Sequence, residues 1–174
     1  MSPSVRALVI DDDPSLRRVM EFTLAEEGLE VYAAATVAEG LGALQQTRFD
    51  LVITDVRMPG QSGLEFLDEL QRRDPAVPVV VVTAYATIEL AVDAMRRGAF
   101  HYLAKPFSRD VLKAVARRAL RVRRLEDENV RLRADRDDLN QIVGDSAPIR
   151  SVIETLRRAA QSNVTVLISG ESGT

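Results

Sequence analysis

The chain has 174 residues, 46% hydrophobic and 28% charged. That is enough apolar material to fill a domain core and too much for a disordered or fibrous chain. Its 23 Lys and Arg residues nearly balance 26 Asp and Glu residues, leaving a formal net charge of −3, so no global attraction to nucleic acid or a membrane surface is expected. With no cysteine and a single His101, disulfides, thiolate chemistry and a multi-histidine metal site are excluded.

No run of apolar residues in the sequence is long enough for a membrane-spanning helix, and the N-terminal segment lacks the apolar stretch of a signal peptide. The sequence therefore predicts a cytoplasmic protein with no membrane partner.

Short β-rich runs alternate with stretches of helical periodicity in the first two thirds of the chain. The later runs have few polar interruptions, as in a parallel sheet that is covered on both faces. This alternation, with right-handed crossovers, predicts an α/β fold with a doubly wound, five-stranded parallel sheet. The predicted strands are Ala7–Ile10, Glu30–Ala33, Leu51–Thr54, Val79–Thr83 and His101–Ala104.

The helices between these strands are predicted from apolar residues spaced three or four apart. Their expected core residues are Leu16, Val19, Met20, Thr23 and Leu24 in the first helix, Val37, Leu41 and Leu44 in the second, and Leu64, Phe66, Leu67 and Leu70 in the third; the fourth helix is expected from Ile88 to Arg97.

Polar side chains follow the predicted strands at the carboxyl edge of the sheet, where parallel α/β folds place their sites. Asp50 precedes the third strand and is expected at the opposite end, roughly 16 Å from Asp55. Asp13 stands before Pro14 and is expected to cap the first helix rather than to join the site. The strand-end residues are Asp11 and Asp12, Asp55, Thr83, and Lys105 with Pro106.

The three carboxylates of Asp11, Asp12 and Asp55 would repel one another unless protons or a cation share the space. Mg²⁺ suits such a site best, because it binds one or two carboxylates together with a carbonyl oxygen and waters. A phosphoryl group reaching Asp55 could then accept a hydrogen bond from Thr83 and pair with Lys105. The ionised Asp55 carboxylate needs no base to act as a nucleophile.

The segments VIDDD, LVITDVRMPG, VVVVTAY and YLAKPF occur in this order in residues 1–121, which resemble the receiver domain of bacterial two-component response regulators. The resemblance implies a flavodoxin-like sheet with strand order 2-1-3-4-5. It also implies a phosphorylation-dependent switch rather than a free-standing enzyme, with Asp55 accepting a phosphoryl group from a sensor histidine kinase.

Further residue roles follow from the same resemblance. The Mg²⁺ ligands would be Asp11, Asp12, Asp55 and the backbone carbonyl of Arg57. Thr83 and Tyr102 would form the switch pair that responds to phosphorylation. The Lys105–Pro106 peptide would be cis, an isomer almost confined to proline.

Two other functions fit part of this pattern. Asp11 and Asp13 after a hydrophobic strand also resemble the haloacid-dehalogenase-type phosphatases, in which Asp11 would be the nucleophile of a Mg²⁺-dependent hydrolase. That alternative leaves Asp55 without a role. A constitutive dimerisation module would leave Thr83 and Lys105 unexplained.

Residues 122–143 are predicted to form a coiled-coil linker helix that joins two copies in a parallel homodimer. Asn129 in the seam would favour two strands in register, and polar seam residues make so short a coil only marginally stable. A solvated single helix is the alternative. The predicted seam residues are Val122, Leu125, Asn129, Leu132 and Leu139.

Residues 144–174 are predicted to begin a second, truncated α/β domain, with a helix from about Pro148 to Ala160 and a strand at Val164–Ile168. This segment resembles the start of the AAA+ ATPase domain of the NtrC family of sigma-54-dependent activators. Such an activator would bind ATP, promoter DNA and sigma-54 RNA polymerase, but this chain lacks the lysine and second glycine of the phosphate-binding loop and is not expected to bind ATP. The partial loop is Gly170, Glu171, Ser172, Gly173 and Thr174.

Overall fold

The computed structural model describes residues 4–85, 87–140 and 146–159, in which strands and helices alternate. The elements are β1 (Arg6–Ile10), α1 (Pro14–Ala25), β2 (Glu30–Ala34), α2 (Val37–Gln46), β3 (Leu51–Asp55), α3 (Gly63–Arg73), β4 (Val79–Thr83), α4 (Ile88–Arg96), β5 (His101–Ala104), α5 (Arg109–Asn140) and α6 (Ala147–Ala159).

The five strands form one parallel sheet in the order β2-β1-β3-β4-β5, which confirms the predicted fold. Each predicted strand agrees with the observed one to within a residue at either end. Ile10 of β1 lies opposite Thr54 of β3, and Thr83 of β4 lies opposite Ala104 of β5. This register brings the residues that follow the strands to one edge of the sheet.

Both faces of the sheet are buried, because alternate residues of each strand point to opposite sides. Leu8 and Ile10 pack in the core that contains residues of α2 and α3. Ala7 and Val9 pack in a second core, with residues of α1 and α5. The result is a sheet between two layers of helices.

The core face of α1 differs from the prediction at one position. Met20 and Leu24 are buried as expected, but Val19 is 45% exposed because it lies at the margin of the stripe that faces the sheet. Thr23 is fully buried, and its hydroxyl donates to the carbonyl of Val19 at 2.7 Å. The predicted core residues of α3 are all buried: Leu64, Phe66, Leu67 and Leu70.

Helix α5 continues without a break from Arg109 to Asn140, as the sequence between the receiver and the linker predicts. The chain forms two compact units, residues 1–127 and 128–174, and α5 belongs to both. The second unit is described through the end of α5 and through α6, which begins one residue before the predicted Pro148. The predicted strand Val164–Ile168 lies outside the described residues.

None of the helices within the described ranges combines the length and the apolar character needed to cross a bilayer.

Candidate functional site

Three carboxylates meet at the carboxyl edge of the sheet. Asp11 directly follows β1 and Asp55 ends β3, and these two strands are paired neighbours. One carboxylate oxygen from each of Asp11, Asp12 and Asp55 lies within 4.8 Å of the others. Asp11 is fully buried and Asp55 is 7% exposed, whereas Asp12 is exposed. Asp12 therefore opens the cluster to solvent.

Lys105 bridges two of these carboxylates. Its Nζ donates to Asp11 Oδ2 at 2.7 Å and to Asp55 Oδ2 at 2.6 Å. Burial by itself would lower the pKa of Lys105, but the hydrogen bonds to Asp11 and Asp55 outweigh it and the net shift is upward. The cation that offsets the repulsion between these carboxylates is thus Lys105 itself. The sequence predicted that Lys105 would pair with a bound phosphoryl group and did not predict its contact with Asp11.

The position of Lys105 is set by the backbone around it. Its N–H donates to the carbonyl of Thr83 at 2.8 Å, which extends the pairing of β4 and β5 by one residue. The Lys105–Pro106 peptide is cis, the isomer that the resemblance implied.

Asp13 caps α1 and also orients Asp11. Its Oδ1 accepts from the N–H of Ser15 at 2.8 Å, which agrees with the predicted capping role. Its own N–H donates to Asp11 Oδ1 at 2.9 Å. Burial raises the pKa of Asp11, and the hydrogen bonds from Lys105 and from the Asp13 N–H offset that rise only in part.

The backbone after Asp55 is folded tightly around it. The N–H of Arg57 donates to Asp55 Oδ1 at 3.2 Å. Gly63, the first residue of α3, packs so closely that a Cβ there would overlap the carbonyl oxygen of Asp55. The role of the Arg57 carbonyl oxygen as a metal ligand stays a prediction.

The two predicted switch residues are joined through a third. Thr83 is fully buried, and its Oγ1 accepts from the N–H of Tyr85 at 3.2 Å. The hydroxyl of Tyr102 donates to the carbonyl of Tyr85 at 3.3 Å. Burial raises the pKa of Tyr102. The sequence did not predict this role of Tyr85. Both hydrogen bonds are made by its main-chain atoms, so the type of side chain gives no indication of them.

The ring of Tyr85 packs against Arg57. The guanidinium of Arg57 stacks on its ring, 4.1 Å from the centroid, a favourable cation–π distance. The stack links the loop after β3 to the loop after β4. Beside it lies a cavity of about 360 Å³, lined by Arg57, Tyr85, Thr87, Glu89, Leu90 and Asp93.

The other predicted site residues lie in the second half of the chain. Leu125 and Asn129 are on α5 and exposed, while Val122 is half-buried on the same helix. Leu132 and Leu139 are also on α5, but their side chains are outside the described part of the structure. Residues 170–174, which form the predicted partial phosphate-binding loop, lie entirely outside the described residues.

Comparison with known proteins identifies the family of the chain and agrees with its fold. The family described as the response regulator receiver domain matches residues 7–117. The chain is similar to the response regulator protein PilR of Pseudomonas aeruginosa, with 36% identity over 168 residues that cover 97% of this chain and 36% of PilR.

Two further proteins extend the comparison. The DNA-binding transcriptional regulator NtrC of Escherichia coli K12 is 38% identical over 95% of this chain and 35% of its own length. The solution structure of the beryllofluoride-activated NtrC4 receiver domain dimer matches with a TM-score of 0.65 and 30% identity, covering 68% of this chain and 98% of that one. The chain thus spans about a third of the length of PilR and NtrC.

Proposed function

Because this chain belongs to the response regulator receiver domain family and works as a phosphorylation-dependent switch, we propose that Asp55 is the residue that accepts the phosphoryl group. The single observation that carries this assignment is the position of Asp55 among the carboxylates: it ends the central strand β3, and its side chain meets both Asp11 and Lys105. A carboxylate oxygen of Asp55 attacks phosphorus, the bond from phosphorus to the donor breaks, and an acyl phosphate forms.

The donor set fits a Mg²⁺ ion. Asp11, Asp12 and Asp55 supply hard oxygen ligands within reach of one another, and exposed Asp12 leaves a path from solvent. When bound, Mg²⁺ would neutralise the charge that otherwise repels a phosphoryl group from Asp55.

The chain's own polar groups complete the site. Lys105 pairs with Asp55 before phosphorylation and is close enough to pair with a phosphoryl oxygen afterwards. The hydroxyl of Thr83 accepts a hydrogen bond from Tyr85, and its own hydrogen is available to donate to the phosphoryl group. Thr83 and Tyr102 would then change position together through Tyr85.

The phosphoryl donor would be a sensor histidine kinase, and the output would be a homodimer formed through α5. In the longer protein we propose an NtrC-type activator that uses ATP to act on sigma-54 RNA polymerase at promoter DNA. The similarity to NtrC, named as a DNA-binding transcriptional regulator, over 95% of this chain supports the proposal.

The phosphatase alternative finds no support. Asp13, which would serve as its general acid, uses its carboxylate to cap α1. Asp11, which would be its nucleophile, is fully buried, and this alternative leaves Asp55 without a role.

Labelling with acetyl phosphate and Mg²⁺, followed by mass mapping, tests the function directly. The parent should gain one phosphoryl group on Asp55, and Asp55→Asn should gain none. Asp50→Asn is the matched control, because it makes the same chemical change at the other end of β3, where Asp50 accepts from the N–H of Arg6 at 2.8 Å. Chelation of Mg²⁺ should block labelling, and a label that persists on Asp11 in Asp55→Asn would refute the proposal.

A further inference from the structure

Arg123 occupies a core position on α5 although it is charged. Among the α5 side chains that the structure describes, the buried positions fall at Leu112, Ala116 and Ala119, and Arg123 lies one helical turn after Ala119 on the same face. Its side chain is only 16% exposed. A guanidinium in such a place loses much of its hydration and needs compensating partners.

Those partners hold Arg123 loosely. Its Nη1 is 3.3 Å from Asp74 Oδ1, and its Nε is 3.3 Å from Asp127 Oδ2. The Nε is buried and has no hydrogen bond with good geometry among the described residues. Charge-assisted hydrogen bonds are usually about 2.7–2.9 Å long, so both contacts neutralise the charge without binding it tightly.

Asp74 lies at a rigid corner that connects to the phosphorylation site. Its N–H donates to the carbonyl of Leu70 at 2.8 Å, and its carbonyl accepts from the N–H of Val77 at 3.2 Å. The corner joins α3, which begins beside Asp55, to β4, which ends at Thr83. A shift at either end of this segment would reach Asp74.

Arg123 also has room to move. It borders a cavity of about 420 Å³, whose apolar lining comes from α2, α3 and the segments before β3 and β4. The apolar lining residues are Leu44, Phe49, Leu70, Ala76 and Val77. Both Arg123 and Asp74 line this cavity, so their side chains have open space beside them into which they can separate.

We propose that Arg123 is a latch that holds α5 against the Asp74 corner and releases it when Asp55 is phosphorylated. The inference rests on the proposed function. Around an ideal helix, Val122 and Leu125 lie about 100° and 160° from Arg123. A rotation that opens the latch therefore also turns the predicted dimer seam, and Arg123 is a positioning residue for dimerisation.

Two variants open the latch from either side: Asp74→Asn and Arg123→Gln. Amide hydrogen exchange across residues 119–127 should rise about threefold or more in both, because an ion-paired anchor is lost from that turn. The ratio of the dimer dissociation constants before and after phosphorylation, measured by sedimentation, should fall towards one. Arg124→Gln is the matched control, since it removes the same charge from the next, exposed residue and should change neither quantity.

The charge-exchanged variant Arg123→Asp with Asp74→Arg, made together with Asp127→Asn to remove the like charge one turn away, should restore slow exchange, which a purely steric role of Arg123 would not allow. Labelling of Asp55 is measured on the same samples. If the parent is labelled but amide exchange in Asp74→Asn and Arg123→Gln is no faster than in the parent or in Arg124→Gln, the latch is refuted and the proposed function is not. A parent that is never labelled overturns the proposed function instead.

Discussion

Lys105 determines the charge balance of the site at the scale of single residues. Without its ammonium group, the buried Asp11 and Asp55 would face each other with no cation between them, at a cost that a low-dielectric site makes large. With it, the site is held together before any ligand arrives. An incoming cation would therefore share Asp11 and Asp55 with Lys105, which already contacts both carboxylates.

Gly63 is required by the close approach of α3 to the carbonyl oxygen of Asp55. Gly63→Ala should destabilise the protein by about 1–3 kcal/mol, because the new Cβ overlaps the carbonyl oxygen of Asp55 and forces the backbone to shift. Labelling of Asp55 should slow in the same variant. Urea denaturation and acetyl phosphate labelling measure the two effects.

Gly42→Ala provides the control for this substitution. Gly42 lies within α2, and a Cβ there meets nothing within 4 Å, so this variant should gain about 0.5–1 kcal/mol from helix propensity. Equal stability of the Gly63→Ala protein and the parent would contradict the steric account.

At the scale of elements, the pairing of β1 with the edge strand β2 is reinforced by a side-chain cluster. Glu30 accepts hydrogen bonds from Arg6 Nε at 2.9 Å, from Ser4 Oγ at 2.8 Å and from Tyr32 Oη at 2.8 Å. The bond from Arg6, with those from Ser4 and Tyr32, lowers the pKa of Glu30 to about 2. Edge strands have one unpaired side, so such cross-strand contacts help to fix β2 in register.

This cluster gives a pH dependence of defined sign. Since the folded-state pKa of Glu30 is depressed, its contribution to stability is present above its ordinary pKa of 4.5 and is lost as the pH falls towards about 2. The contribution should be small, because Arg6 and Glu30 are 40% and 43% exposed. Carboxyl NMR titration should show a higher pKa of Glu30 in Arg6→Gln than in the parent and an unchanged pKa in Arg124→Gln. An unchanged pKa of Glu30 in Arg6→Gln would refute Arg6 as the main cause of the depression.

The exposed apolar side chains of α5 provide a test of whether this helix links two copies of the chain. Leu125 is 56% exposed and Val130 is 67% exposed in the single chain. Only Leu125 falls on the predicted seam. These two exposed apolar side chains lie about 140° apart around the helix, so comparing them separates dimerisation through the seam from the effect of exposure alone.

Leu125→Glu should weaken the dimer at least about tenfold, because two like charges would enter a desolvated seam. Val130→Glu introduces the same side chain off the seam and should leave the dissociation constant unchanged. Sedimentation equilibrium of the parent and both variants, with and without acetyl phosphate, measures this. If the parent remains monomeric at every concentration, phosphorylated or not, the predicted seam is wrong and this part of α5 is a solvated single helix.

Most of the fold was predictable from the sequence, because the signals are local. The uninterrupted VVVV run of β4 fixes a buried strand, and the step from Asp13 to Pro14 fixes the start of α1. The exposure of Val19 was not predictable in this way, since the width of a helix's buried stripe depends on what packs against it. The bridge from Lys105 to Asp11 joins residues far apart in sequence, and no local pattern encodes its distance.

The main chain of Tyr85 carries a consequence for the timing of the switch. Its N–H is bonded to the side chain of Thr83, and its carbonyl is bonded to the side chain of Tyr102. Neither side chain can leave its place without disturbing the same residue. If Thr83 and Tyr102 form the proposed switch pair, their motions would be coupled through Tyr85, and NMR relaxation dispersion would measure one common rate at both residues.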